Sequence, residues 1–225
     1  MSDLTIAAEA EQLGIALSPE TIERLFEFLD ALYAANEHIN LTRVPRDEAP
    51  RRHLLDSLMV STLIPERSRV LDIGAGAGFP SVPLAIARPD LEVTALDSHA
   101  KSLDFIRSLG LSNVETLWSR AESVASREAY DVVTGRAVAP LAIQLELSAG
   151  PCCLGGMVLP LRTGIERESI DLLDVSPLGV TLEAVRDYKL PGADTPRLIP
   201  VYRKTSRTPK LFPRPWAQIK REPIG

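Results

Sequence analysis

VLDIGAGAGFPSVPLAIA, residues 70–87, decides the reading of this chain. An apolar run ends in an acid, and glycines follow at positions 74, 76 and 78. Such a run predicts a buried strand. Glycines two residues apart let the chain turn tightly and let backbone N–H groups approach a ligand closely. A nicotinamide-dinucleotide loop, G-x-G-x-x-G, needs its last glycine at position 79. Phe79 stands there instead, followed by Pro80, which does not suit a pyrophosphate crossing the helix end. Twenty-three residues beyond Gly74, Asp97 closes a second apolar run, LEVTALD (91–97). A carboxylate at that point can accept hydrogen bonds from both ribose hydroxyls of an adenosine. The ligand implied is an adenosine-containing cofactor that is not a dinucleotide.

Outward from this loop, short apolar runs alternate with amphipathic ones. Strands are predicted over 69–73, 91–97, 113–118, 130–135 and 155–161, with helices near 82–87, 101–109, 141–147 and 166–174. Two further β-like runs, 180–188 and 198–203, suggest a closing antiparallel hairpin. Regular alternation of strand and helix predicts an α/β fold with a doubly wound, mostly parallel sheet. Before the sheet, Ser18-Pro19 is a helix start, with Ser as N-cap and Pro at the first helical position. Ile22, Leu25, Phe26, Leu29, Leu32 and Tyr33 then give the stripe of an amphipathic helix, and a second helix is expected over 48–63. The expected organisation is a helical extension or lid (1–65), a Rossmann-like domain (66–204) and a basic, Pro-rich arm (205–225) laid over the surface.

Composition bounds the function. Of the 225 residues 45% are hydrophobic and 24% charged, an ordinary globular balance. The longest uncharged runs, 73–87 and 147–161, hold Gly and Pro and are too short to span a membrane. The acidic start MSDLTIAAEAE has no signal-peptide pattern, so a cytoplasmic location is expected. Cys152 and Cys153 are adjacent, and no second pair accompanies them; they read as small apolar residues, with no metal site expected. From Arg197 onward eight Lys/Arg face one acid, Glu222, a balance of +7, so residues 1–196 carry −12. That asymmetry points to a polyanionic partner met mainly by the tail.

VLDIGAGAGFP followed by LEVTALDS is similar to the S-adenosylmethionine site of class I methyltransferases. NEHINLT (36–42), RHLLDSL (52–58), SRAE (119–122) and GRAVAPL (135–141) stand in order around it. Together they closely resemble the bacterial small-subunit rRNA methyltransferase G family, also called glucose-inhibited division protein B. The resemblance spans about residues 36–156, with a looser echo in the tail. It implies a class I S-adenosylmethionine-dependent, Rossmann-like fold and methylation of N7 of one guanosine in 16S rRNA, with S-adenosylhomocysteine as the other product. Carried over by position, it implies cofactor contacts at Gly74, Phe79, Ala121, Glu122 and Arg136, beside Gly76 and Asp97 of the loop reading. Arg136, after the fourth strand, is the expected catalytic residue. Ala35, Gly135 and Arg162 depart from the residues usual at those places (aromatic, Ser and Lys), and the last residues lack the usual Gly-containing ending.

Guanine N7 offers a lone pair at neutral pH. It can attack a sulfonium methyl without first losing a proton, so no general base is required. His53, Asp56 and Ser57 fall within one helical turn without a G-x-S-x-G elbow, and read as a local cluster rather than a hydrolase triad. With Asn36 and Asn40, His53 and Asp56 are expected to shape the lid and the RNA-facing mouth. Because A-form RNA hides N7, the target base should be looped out or extruded. RNA contacts are expected from Arg52, His53, Lys204, Arg207, Lys210 and Arg214, with Phe212 and Trp216 as stacking faces or packing anchors. The expected partner is 16S rRNA, the small ribosomal subunit or its assembly intermediate, with no membrane and no obligatory protein partner evident. Two alternatives stay open: a small-molecule methyltransferase, which gives the basic tail no purpose, and a noncatalytic RNA-binding assembly factor. A dehydrogenase is disfavoured by Phe79 and Pro80.

Overall fold

A computed structural model describes residues 3–124 and 126–225. Seven strands form one sheet: β1 (Arg69–Ile73), β2 (Glu92–Asp97), β3 (Val114–Trp118), β4 (Tyr130–Arg136), β5 (Cys152–Thr163), β6 (Val180–Tyr188) and β7 (Arg197–Lys204). Their order is β3-β2-β1-β4-β5-β7-β6. β1 to β5 run parallel, with Val70 opposite both Val93 and Val132, whereas β7 is antiparallel to β5 and β6 to β7. The helices are α1 (Asp3–Gln12), α2 (Pro19–Ile39), a composite α3 over residues 50–63, α4 (Ser81–Ala87), α5 (Ala100–Ser108), α6 (Leu141–Ala149), α7 (Arg167–Leu172) and α8 (Trp216–Arg221). The winding reverses between β1 and β4, and that is where open α/β sheets bind ligands.

Side-chain alternation sorts the core into two layers. Val70, Val93, Ala95, Val132 and Leu159 face α1–α5, while Leu71, Ile73, Leu96, Val133 and Val158 face α6, α7 and the tail. The N-terminal helices join the first layer through Ile22, Leu25, Phe28, Leu29 and Leu32. Ser18 Oγ caps α2 by accepting the Thr21 N–H at 3.1 Å, and Asn40 ends it in the left-handed region at φ 47°. Phe28 is buried while Phe26 of the expected stripe is only half-buried.

The helix expected over 48–63 is broken into three geometries: a π turn (Pro50–Leu55), a short α segment (Asp56–Leu58) and a 3-10 turn (Met59–Leu63). The Asp56 N–H turns to the carbonyls of Arg51 and His53, and so releases the Arg52 carbonyl from the usual ladder. The tail also departs from the extended arm expected. Phe212 and Ile219 are buried in the second layer, and residues 216–221 form α8. Arg127 ties the tail down by donating to the carbonyls of Thr208 (2.9 Å) and Phe212 (2.8 Å). Among the described residues no helix is long and apolar enough to cross a membrane.

Candidate active site

At the carboxyl ends of β1 and β2 the glycine loop folds onto the neighbouring strand. Gly74 and Ala75 donate to the Leu96 carbonyl at 2.8 and 3.0 Å, and the Gly76 N–H reaches Asp97 Oδ2 at 2.8 Å. Gly74, Gly76 and Gly78 all have positive φ (70°, 53° and 98°). At Gly78 a Cβ would stand 2.5 Å from Val82 Cγ2, so loop and α4 close only around a hydrogen. The acid of the opening stretch, Asp72, lies beneath the loop, where its Oδ2 accepts the Ser81 N–H at 3.0 Å. Complete burial pushes its carboxyl up to about 7.

Above the loop lies a crevice of about 350 Å³, bordered by Gly74, Asp97, Ala121, Glu122, Val138 and Trp216. Asp97 accepts from Gly76, from the His99 N–H (2.8 Å) and from His99 Nδ1 (3.0 Å), whose side chain is 81% exposed. A carboxylate offers about four acceptor sites, so Asp97 keeps one free here and has two for a vicinal diol once the exposed imidazole swings aside. Ile73, Leu96, Ala121, Val138 and Leu147 supply an apolar wall. These residues fit a nucleoside cofactor. Among the described residues no cluster of His, Cys, Asp or Glu suits a metal ion.

A second cavity, of about 320 Å³, adjoins the first across Ala137, which borders both. Arg52, His53, Asp56, Arg136, Arg162 and Glu166 line it. Its centre is a hydrogen-bonded hub. Arg136, at the end of β4, donates to the released Arg52 carbonyl (2.7 Å), to Asp56 Oδ2 (3.1 Å) and to His53 Nδ1 (3.0 Å). Arginine carries only donors, so His53 Nδ1 is an acceptor and the ring proton sits on Nε2, which donates to Thr42 Oγ1 at 2.8 Å. Burial first, and then the Arg136 charge, hold this imidazole neutral with its pKa lowered to about 3. Asp56 Oδ1 completes the hub by accepting from Tyr188 Oη (3.1 Å) and Arg197 Nε (3.3 Å).

Phe79, expected among the cofactor contacts, does not border the crevice. The ring is buried between the sheet and the N-terminal helices, stacked on His53 (centroids 4.2 Å, 14°) and 5.2 Å from Phe28, with the Arg136 guanidinium 5.0 Å from its centre. Gly74, Asp97, Ala121 and Glu122 border the crevice, and Gly76 donates to Asp97 from the loop. Arg136 borders the acceptor cavity instead.

The expected RNA contacts divide. Arg207 and Lys210 are exposed, and Arg52 is half-exposed in an ion pair with Glu48. Three others are corrected. Lys204 is 1% exposed, its ammonium spent on the carbonyls of Ala149 (2.7 Å) and Leu178 (3.3 Å) and on the Thr208 hydroxyl. Burial lowers its pKa to about 8. Arg214 is locked onto the buried Glu146, and both ring nitrogens of His53 are taken. Sequence reasoning missed Tyr188 and Glu166 and gave Arg197 only as a tail charge. Tyr188 lies 132 residues from Asp56, and no local pattern announces such a contact. The Cys152 thiol is buried and pushed up to about 12, which removes it as a nucleophile.

The family model described as rRNA small subunit methyltransferase G matches residues 21–178. The Ribosomal RNA small subunit methyltransferase G of Limosilactobacillus reuteri (strain DSM 20016) is 35% identical over 227 residues, covering 94% of each chain. That of Bacillus subtilis (strain 168) is 35% identical over 224 residues, again covering 94% of each. Among solved structures, M. jannaschii TYW2 in complex with AdoMet aligns with TM-score 0.56 at 17% identity, over 74% of this chain and 80% of that one. A 16S rRNA (adenine(1408)-N(1))-methyltransferase from Catenulisporales acidiphilia aligns with TM-score 0.53 at 15% identity, over 62% of this chain and 86% of that one. Those two likenesses speak for the class I methyltransferase fold alone. From the family match, and from relatives alike along nearly the whole length, the chain belongs to the rRNA small subunit methyltransferase G family.

Proposed function

We propose that the protein transfers a methyl group from S-adenosylmethionine to N7 of a guanosine in 16S rRNA of the small ribosomal subunit, acting in the cytoplasm. The observation that carries this reading is the pair of cavities meeting at Ala137, one suited to a nucleoside cofactor and the other open toward arginines. When bound, the cofactor would supply a sulfonium methyl whose carbon a neutral nitrogen lone pair can attack, with the C–S bond breaking to leave S-adenosylhomocysteine. The chain's own residues have three tasks. Asp97, Ala121 and Glu122 hold and orient the adenosine. Arg136 and His53 line the acceptor cavity, and Phe79 backs them. The acceptor cavity holds the extruded base in line and excludes water.

Arg136 acts here as a positioning residue. Three of its five N–H groups are already engaged, and they join β4 to α3 rather than leaving a free cation. RNA reaches the site along a larger groove of about 580 Å³ between residues 47–52 and 190–197, which shares Arg52 and Arg197 with the acceptor cavity. Arg207 and Lys210 extend the basic surface at the tail. The test is mass-spectrometric mapping of 16S rRNA from cells lacking the protein. One N7-methylguanosine should vanish and return with the parent gene, but not with Arg136→Ala. An unchanged methylation map refutes the reading.

A further inference from the structure

We propose that Glu166 selects guanine in the acceptor cavity by accepting the N1–H and N2–H donors of its Watson–Crick edge. This rests on the function proposed above. Guanine and adenine both present N7 as an acceptor, so attack through N7 does not by itself distinguish them. The opposite edge does. Guanine offers two adjacent donors there, where adenine's ring nitrogen is an acceptor. An extruded base is read on that edge by hydrogen bonds. Two adjacent donors call for a carboxylate.

The cavity has two carboxylates, Asp56 and Glu166. Asp56 is spent, because its oxygens already take Tyr188, Arg197 and Arg136 and its side chain is only 8% exposed. Glu166 takes a single hydrogen bond among the described residues, from Arg162 to Oε2 at 3.3 Å, and its side chain is 28% exposed. Its Oε1 is available. Placement agrees with the task. The seam with the cofactor crevice is at Ala137, and Glu166 borders the acceptor cavity alone. A purine with N7 at the seam turns its Watson–Crick edge away from it.

The carboxylate also has a firm backing. It ends a 3-10 turn (Gly164–Glu166) whose Gly164 N–H donates to the Pro196 carbonyl at 2.8 Å, so closely that a Cβ at Gly164 would meet Pro196 Cγ at 2.6 Å. Arg162, which holds Glu166, is buried and anchored on the Ala139 carbonyl (2.9 Å) and on Gln144. Methylation at N7 makes the purine cationic and its N1–H a stronger donor. The bond to Glu166 therefore tightens as charge develops, which adds rate as well as selection. No proton has to leave.

The experiment compares small subunits reconstituted with 16S rRNA carrying guanosine or inosine at the target position, using the full-length parent and Glu166→Gln. Inosine keeps N7, O6 and N1–H but lacks the N2 amino group. With the parent, inosine should lower kcat/KM by roughly 10- to 100-fold, the effect of one charge-assisted hydrogen bond. Glu166→Gln turns one acceptor into a donor facing a donor. It should slow guanosine by about tenfold or more and shrink the guanosine-to-inosine ratio to within about threefold, with cofactor affinity by calorimetry unchanged. A parent that methylates guanosine and inosine alike overturns the role of Glu166 alone, and so does a variant that keeps the parental ratio. A parent that methylates no guanosine in the subunit overturns the activity beneath it.

Discussion

Replacing Arg214 with alanine should destabilise the fold while leaving RNA contacts intact. The Glu146 carboxylate in α6 is wholly buried, and Arg214 is 15% exposed. Four hydrogen bonds join them: the Arg214 backbone N–H (2.8 Å) and Nε (2.9 Å) to Oε1, and Nε (3.2 Å) and Nη2 (2.6 Å) to Oε2. Arg214→Ala keeps only the backbone bond and leaves an unpaired charge in the interior. Breaking one side of a buried pair costs about 3–5 kcal/mol. At about 2–4 °C per kcal/mol for a chain of this size, the melting midpoint should fall by about 6–20 °C. Replacing both partners, Glu146→Leu with Arg214→Met, should recover most of the loss, since an apolar pair of similar volume avoids the desolvation penalty. Scanning calorimetry gives the midpoints, and RNA affinity at several salt concentrations gives the slope. A variant that melts like the parent, with a salt slope lower by about 0.7–0.9, would place Arg214 on a phosphate and refute the buried clamp.

Asp97→Ala should weaken cofactor binding at least tenfold, at about 1.5–3 kcal/mol for each charged hydrogen bond lost; unchanged affinity by calorimetry would remove Asp97 from the ribose site. The His53 imidazole stays neutral because its folded pKa is about 3, against an ordinary 6.5. The unfolded chain binds the extra proton in that window, so stability is complete above about pH 6.5 and is lost as pH falls toward 3. The Hε1 resonance of His53 should therefore not titrate between pH 8 and 5, and a midpoint near 6.5 would mean that its contact with Arg136 is absent. Asp72 has the opposite sign. Its folded carboxyl keeps a proton up to about pH 7, while the unfolded one loses it near 4, so stability declines as pH rises from about 4 to 7. Asp72→Asn should flatten that decline in denaturant titrations, and an unaltered slope would show that Asp72 is ionised in the fold.

Local regularities carried the sheet into view. Strand periodicity placed β1 and β4 within a residue or so of their observed limits, because apolar side chains on a parallel sheet must face one layer or the other. Glycine spacing and Asp97 placed the crevice for a similar reason: positive φ at positions 74, 76 and 78 is written in the residue type. The fate of the cations was not legible. Charge counting treats Lys204, Arg207, Lys210 and Arg214 alike, yet two face solvent and two end on buried acceptors supplied by α6 and the turn before β6. Glu146 carries no sign in the sequence that it lies in the interior. Nor does Pro50-Arg-Arg-His announce a π turn, although that turn decides which carbonyl Arg136 finds.

The condition of the titratable groups around the acceptor cavity bears on the chemistry. A general base needs a free lone pair within reach of the acceptor and a pKa suited to neutral pH. His53 spends both nitrogens, one as acceptor from Arg136 and one as donor to Thr42, and is held at about 3. Asp56 spends both oxygens on two arginines and a tyrosine. The Tyr188 phenol, which donates to Asp56, is raised by burial beyond its usual range and keeps its proton. A site that relied on His53, Asp56 or Tyr188 to deprotonate a hydroxyl or an amine would be poorly served by groups so committed. Guanine N7 arrives with its lone pair ready, so these groups can act as a scaffold joining α3, β4, β6 and β7 around the base. The reaction is then governed by where the purine is held, and the charge it acquires meets a carboxylate already in place on its far edge.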